Sequence, residues 1–159
     1  MSEKPKDPFA LWSSILKRTG RLLRQHKENP RFAQDLSELA GMVYWAMQQH
    51  QEIGTFEMMH GEATGYAIAH SLQTAFVASL AAGRLGWSES DRITLIRASL
   101  TMNIAMLDLQ NTLSLQTTPL TAKQRAEIDT HPRRGREILE AANVTCQDWL
   151  CTVAQHHVT

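Results

Sequence analysis

Apolar residues recur every three or four positions along almost the whole chain, and alternation of apolar and polar residues over a strand's length is absent. Phe9, Trp12, Leu16 and Leu23 form one helical stripe, which Asn29-Pro30 ends. Phe32, Leu36, Leu39, Val43 and Met47 continue the period in a second helix. Gly54, Gly61 and Gly65 mark 51–65 as a looser stretch. The spacing then predicts a helix from Tyr66 to Leu85, with Gly86 at the position a closing glycine takes. Ser88 is an N-cap with Asp91 three residues on, and the next helix runs through Ile93, Ile96, Leu100, Ile104 and Leu107. Residues 108–120 are predicted as a loop. Thr121 and Gln124 make a capping box for a helix ending near His131-Pro132. A short helix over 132–142 and a last one from about Thr145 follow. The predicted fold class is all-α.

Composition changes this picture little. The 159 residues include 43% hydrophobic ones and equal numbers of basic and acidic groups, 16 each, which fits a folded helical protein and argues against disorder. No apolar run reaches the length of a membrane span, and MSEKPKDPF has no apolar leader core. Cys146 and Cys151 would point about 140° apart on a helix, a poor disulfide geometry, so they read as free thiols and the protein as cytoplasmic. The balanced charge hides an asymmetry. Residues 1–31 carry eight basic and three acidic groups, the remainder eight and thirteen. No aromatic residues interleave with the basic ones as in single-strand binders, so nucleic acid is not an expected partner.

Histidine is the chemically distinctive residue. His26, His50 and His60 stand without partner spacing. His70 lies inside an apolar-periodic helix, His131 precedes a proline, and His156 and His157 are adjacent at a helix end. Neighbouring histidines on a helix point about 100° apart and can serve two neighbouring ions or one ion and one substrate.

These histidines sit in segments that resemble a known family. H-S-L-Q-T-A-F-V-A-S-L-A-A-G-R-L-G-W-S at 70–88, R-A-S-L at 97–100, L-T-A-K-Q at 120–124, H-P-R-R-G-R-E-I-L at 131–139 and V-A-Q-H-H at 153–157 are similar to the HD-GYP branch of the HD-domain phosphohydrolases. The resemblance covers residues 66–159 and implies an HD-domain-like helical bundle, with residues 1–65 as an N-terminal helical region outside it. The related HDOD branch is a fallback; the intact His-Pro-x-x-Gly and His-His fit HD-GYP better. In the family, the first His, a His-Asp pair, the His of His-Pro-x-x-Gly and the double His hold two or three metal ions. A bridging hydroxide on those ions cleaves cyclic di-GMP or a related nucleotide.

This chain departs from the family at the His-Asp pair. Met102 stands at the His position, Asn103 at the Asp, Ala105 at the glycine and Met106 at the following Lys. Tyr66 occupies the place where some members carry a carboxylate, and the Gly-Tyr-Pro segment would follow His157, so the domain reads as incomplete at its C-terminus. A thioether is a poor ligand for such ions, and a neutral amide cannot balance a second dication. The expectation is therefore a vestigial site of His70, Met102, Asn103, Met106, His131, His156 and His157, with no catalytic residue. No cofactor is expected beyond, at most, a single divalent ion on His70, His131, His156 and His157. Asn103 is expected to be buried and hydrogen-bonded by His70 or His131. The leading functional expectation is a non-catalytic signalling domain that binds a partner protein, its own copy or a cyclic dinucleotide; the alternative is a metal-dependent phosphodiesterase. Arg97, Arg133, Arg134 and Arg136 are candidate phosphate contacts unless they pair with Glu137, Glu140 and their neighbours. Val144, Trp149, Leu150 and Val153 form a stripe that needs cover, from the N-terminal helices with Phe9, Trp12, Phe32, Tyr44 and Trp45, from a second copy or from residues missing from this sequence, and a dimer is expected on that ground.

Overall fold

In a computed structural model, residues 7–60 and 65–158 are described, and among them the fold is helical throughout with no strand. The helices are α1 Pro8–Arg24, α2 Phe32–Gln49, α3 Gln51–His60, α4 Tyr66–Arg84, α5 Glu89–Thr101, α6 Leu107–Leu113, α7 Ala122–Ala141 and α8 Gln147–Gln155, with a 3-10 turn at Ile104–Met106. None is long and apolar enough to cross a membrane.

Several ends form as their residues dictate. Asp7 caps α1 by accepting the Phe9 N–H at 2.9 Å, and Pro8 sits where its missing N–H costs nothing. The α4–α5 connection closes as a Schellman turn: Gly86 takes φ +78° and the Trp87 N–H reaches the Ala82 carbonyl at 3.0 Å. Ser88 then accepts the Asp91 N–H at 3.1 Å. The Thr121–Gln124 capping box is made in both directions, at 3.2 and 2.9 Å. Cys146 and Cys151 are both free thiols.

Other boundaries fall elsewhere than expected. α1 ends at Arg24, and residues 25–31 form the connection to α2. Its buried face is Leu11, Trp12, Ile15, Thr19, Leu22 and Leu23, and Phe9 is exposed. The expected looser stretch 51–65 is helical through His60, while 61–64 lie outside the described residues. Gly54 does not break that helix but lets it approach. A Cβ there would stand 2.6 Å from the Trp12 ring and 2.7 Å from the Phe76 ring. α5 stops at Thr101 and the chain turns before α6, although Leu100, Ile104 and Leu107 keep the helical period across the break. Half of the expected 108–120 loop is therefore helix, and Asn111 on α6 accepts the Ala67 N–H at 2.9 Å, capping α4 from 44 residues away. Finally, α7 does not end at Pro132 but runs through it.

α5 lies at the centre, packed by α4, α2 and α8, while α1 covers α2, α3 and α4. One apolar core spans both halves of the chain, from Trp12, Phe32 and Leu36 to Leu139, Trp149 and Val153. The stripe Val144, Trp149, Leu150 and Val153 is buried within this single chain, so the reason for expecting a dimer falls away. Trp149 also donates to the Thr101 hydroxyl at 2.9 Å, and Thr101 donates to the Arg97 carbonyl at 2.8 Å, tying α8 to α5.

Candidate functional site

Pro132 explains how His131 comes to its place. A proline inside a helix has no N–H for the carbonyl four residues back, here that of Ile128. The His131 ring turns down the helix and its Nδ1 bonds that same carbonyl. The side chain thus satisfies the acceptor that its neighbour frees. A carbonyl can only accept, so the proton sits on Nδ1 and the His131 Nε2 keeps its lone pair. His156, at the end of α8, repeats the device: its Nδ1 donates to the Val153 carbonyl at 2.8 Å. The two Nε2 atoms then face each other at 3.0 Å.

His157 completes the group. Its ring centroid lies 5.1 Å from that of His131 and 4.2 Å from that of His156, and one nitrogen from each of the three rings falls within 4.8 Å of the others. His131 is buried, His156 half-buried and His157 exposed, so the cluster opens to solvent on one side. Burial, with the neighbouring histidines, lowers the pKa of both His131 and His156. With both Nδ1 protons used, the Nε2–Nε2 contact is a hydrogen bond only when one ring carries a second proton, and burial opposes that charge. A cation between the two Nε2 atoms removes the need for that proton. An ion with bonds of about 2.0–2.1 Å at a tetrahedral angle wants nitrogens about 3.4 Å apart, so a few tenths of an ångström of opening suffices. Three imidazoles suit one borderline ion such as zinc or copper and give a second ion no negative ligand.

The remaining expected site residues divide. The backbone of Met102 comes close to α7: a Cβ on Gly135, one turn after His131, would lie 3.3 Å from Val153 Cγ1 and 3.6 Å from the Met102 carbonyl. The expected hydrogen bond to Asn103 is not made. Asn103 is buried but its Oδ1 has no partner among the described residues. His70 is not in the three-histidine group; its ring stacks on Tyr66 at 5.6 Å with planes 8° apart. Met106 is half-buried and lines a cleft against α1 instead.

The arginines separate as well. Arg133 and Arg136 pair with Glu137 and Glu140 one turn on, and Arg97 lies over the Trp149 ring at 5.9 Å. Arg134 makes no ion pair among the described residues. Nothing in the chain pattern announced the Ile128 carbonyl as an orienting group; the signal was the His-Pro pair itself, read as an end instead of a continued helix. No family model, curated protein or solved structure matches this chain.

Proposed function

We propose that this is a non-catalytic, HD-GYP-like signalling domain that acts by binding, to a partner protein or to a nucleotide, and that its histidine cluster holds at most one divalent ion. The observation that carries the reading is the composition of the cluster. Three imidazoles converge, one nitrogen of each within 4.8 Å of the others, while the positions where the resemblance expects a His-Asp pair hold a thioether, Met102, and a neutral amide, Asn103. Two-metal hydrolysis needs a negative group to bridge and neutralise the ions, and a cation on the phosphoryl oxygens. Met106, at the position of the family lysine, supplies none. His131, His156 and His157 would hold the single ion; when bound, it would polarise a coordinated water or a ligand oxygen. The histidine cluster also favours a second reading, a mononuclear phosphodiesterase acting on cyclic di-GMP or a related nucleotide. A turnover assay with cyclic di-GMP in manganese, iron(II) and zinc separates the two. The leading reading expects no product above the rate without protein; metal-dependent linear product that disappears in His131→Ala would establish the second.

A further inference from the structure

We propose that the cleft between the end of α1 and α7 binds a short zwitterionic peptide, its carboxylate held by Arg134 and its ammonium by Glu127 and Asp108. The cleft has a volume of about 600 Å³, within the size range of small-molecule sites, and its walls mix Leu23, Leu107 and Ile138 with charged side chains.

Its charges are the distinctive feature. Arg133 and Arg136 each have a glutamate four residues on, but the residue four after Arg134 is Ile138. Arg134 is half-buried and has no carboxylate partner among the described residues. Lys27, Glu28, Asp108 and Glu127 line the same cleft, and none of them makes an ion pair among the described residues. Arg24 also lines it, which brings the lining to three cations and three anions. A plain anion would meet three carboxylates there, and a plain cation three basic groups. A molecule carrying both charges meets each where it is wanted.

The spacing sets the ligand's length. Glu127 and Arg134 are seven residues apart on α7, so they share a face and stand about 10 Å apart along the axis. An extended chain spans about 3.3–3.6 Å per residue. Two or three residues therefore place the termini across that interval, with an apolar side chain against Ile138 and Leu107.

The test is a calorimetric and NMR titration of the full chain with Ala-Leu-Ala, its C-terminal amide and its N-acetyl form. The expected result is saturable binding of the free peptide that weakens about tenfold or more on amidation and on acetylation, the loss of one charged contact each. Arg134→Gln should weaken the free peptide by the same factor and leave the amide unaffected, since the two changes remove one interaction. Should Arg134→Gln fail to fold, the capped peptides on the unaltered protein decide alone. No saturable binding up to about 10 mM, or equal binding of free and capped peptides, would overturn the proposal.

Discussion

At the residue scale, His131 answers a need that Pro132 creates. The proline frees the Ile128 carbonyl, the histidine Nδ1 takes it, and the tautomer so fixed aims a lone pair at His156. That His131, His156 and His157 would come together was an expectation of the resemblance, and they do cluster. Their protonation pattern was not legible in the chain, because it depends on α7 continuing past the proline. A pH dependence follows. Burial holds the His131 and His156 pKa values below the unfolded value of about 6.5. Below that pH the unfolded chain binds more protons than the folded one, so stability falls as pH drops from about 6.5 towards the lowered folded values. Above about 7 these groups contribute no slope. Denaturant midpoints of the metal-free protein between pH 5 and 8 should show this fall, and it should shrink in His156→Gln; an unchanged slope would mean the cluster does not carry it. Asn103 makes a second case. Its Oδ1 is buried without a donor, so Asn103→Asp would bury an uncompensated carboxylate. That variant should be about 3 kcal/mol less stable without metal, and added zinc should restore stability more in it than in the parent protein. Thermal melts with and without zinc check both halves of the statement.

At the element scale, the caps were the most legible features, because capping is local chemistry. Ser88, Thr121 and Gly86 each act where their residue type and neighbours indicate. Breaks were less legible. The 100, 104, 107 period passes unbroken through the turn after Thr101, since apolar spacing records which face is buried and not whether the backbone stays helical between. Gly54 was read as punctuation and proves to be a contact. In place of a side chain, the rings of Trp12 and Phe76 approach the α3 backbone. Gly54→Ala would improve helix propensity in isolation, yet here its methyl would drive into two rings. A loss of about 1–3 kcal/mol is expected from that overpacking, measurable as a lower urea midpoint. A gain in stability would show that α3 does not sit against Trp12 as described.

At the scale of the whole molecule, the resemblance begins at residue 66, but the core does not respect that position. Trp12 is 1% exposed, its ring lies edge-on to Phe76 at 5.7 Å, and its indole N–H reaches the His50 carbonyl at 3.4 Å. The sequence suggested that N-terminal aromatics would be available as cover; which of them serve was not legible, because Phe9 and Trp12 belong to one stripe and only packing separates them. Trp12→Ala should cost about 3–5 kcal/mol. Far-ultraviolet dichroism and tryptophan fluorescence should follow a single unfolding transition in the parent protein, as one shared core requires; two separated transitions would mean that the halves fold independently. The same core buries the α8 helix whose end carries His156 and His157, so the cluster rests on the whole chain. The central claim is that this cluster holds at most one ion. Inductively coupled plasma mass spectrometry of the protein, equilibrated with excess zinc or manganese and freed of unbound metal, tests it most directly. A stoichiometry of no more than one zinc per chain, lost in His131→Ala, is predicted; close to two ions per chain would contradict the account.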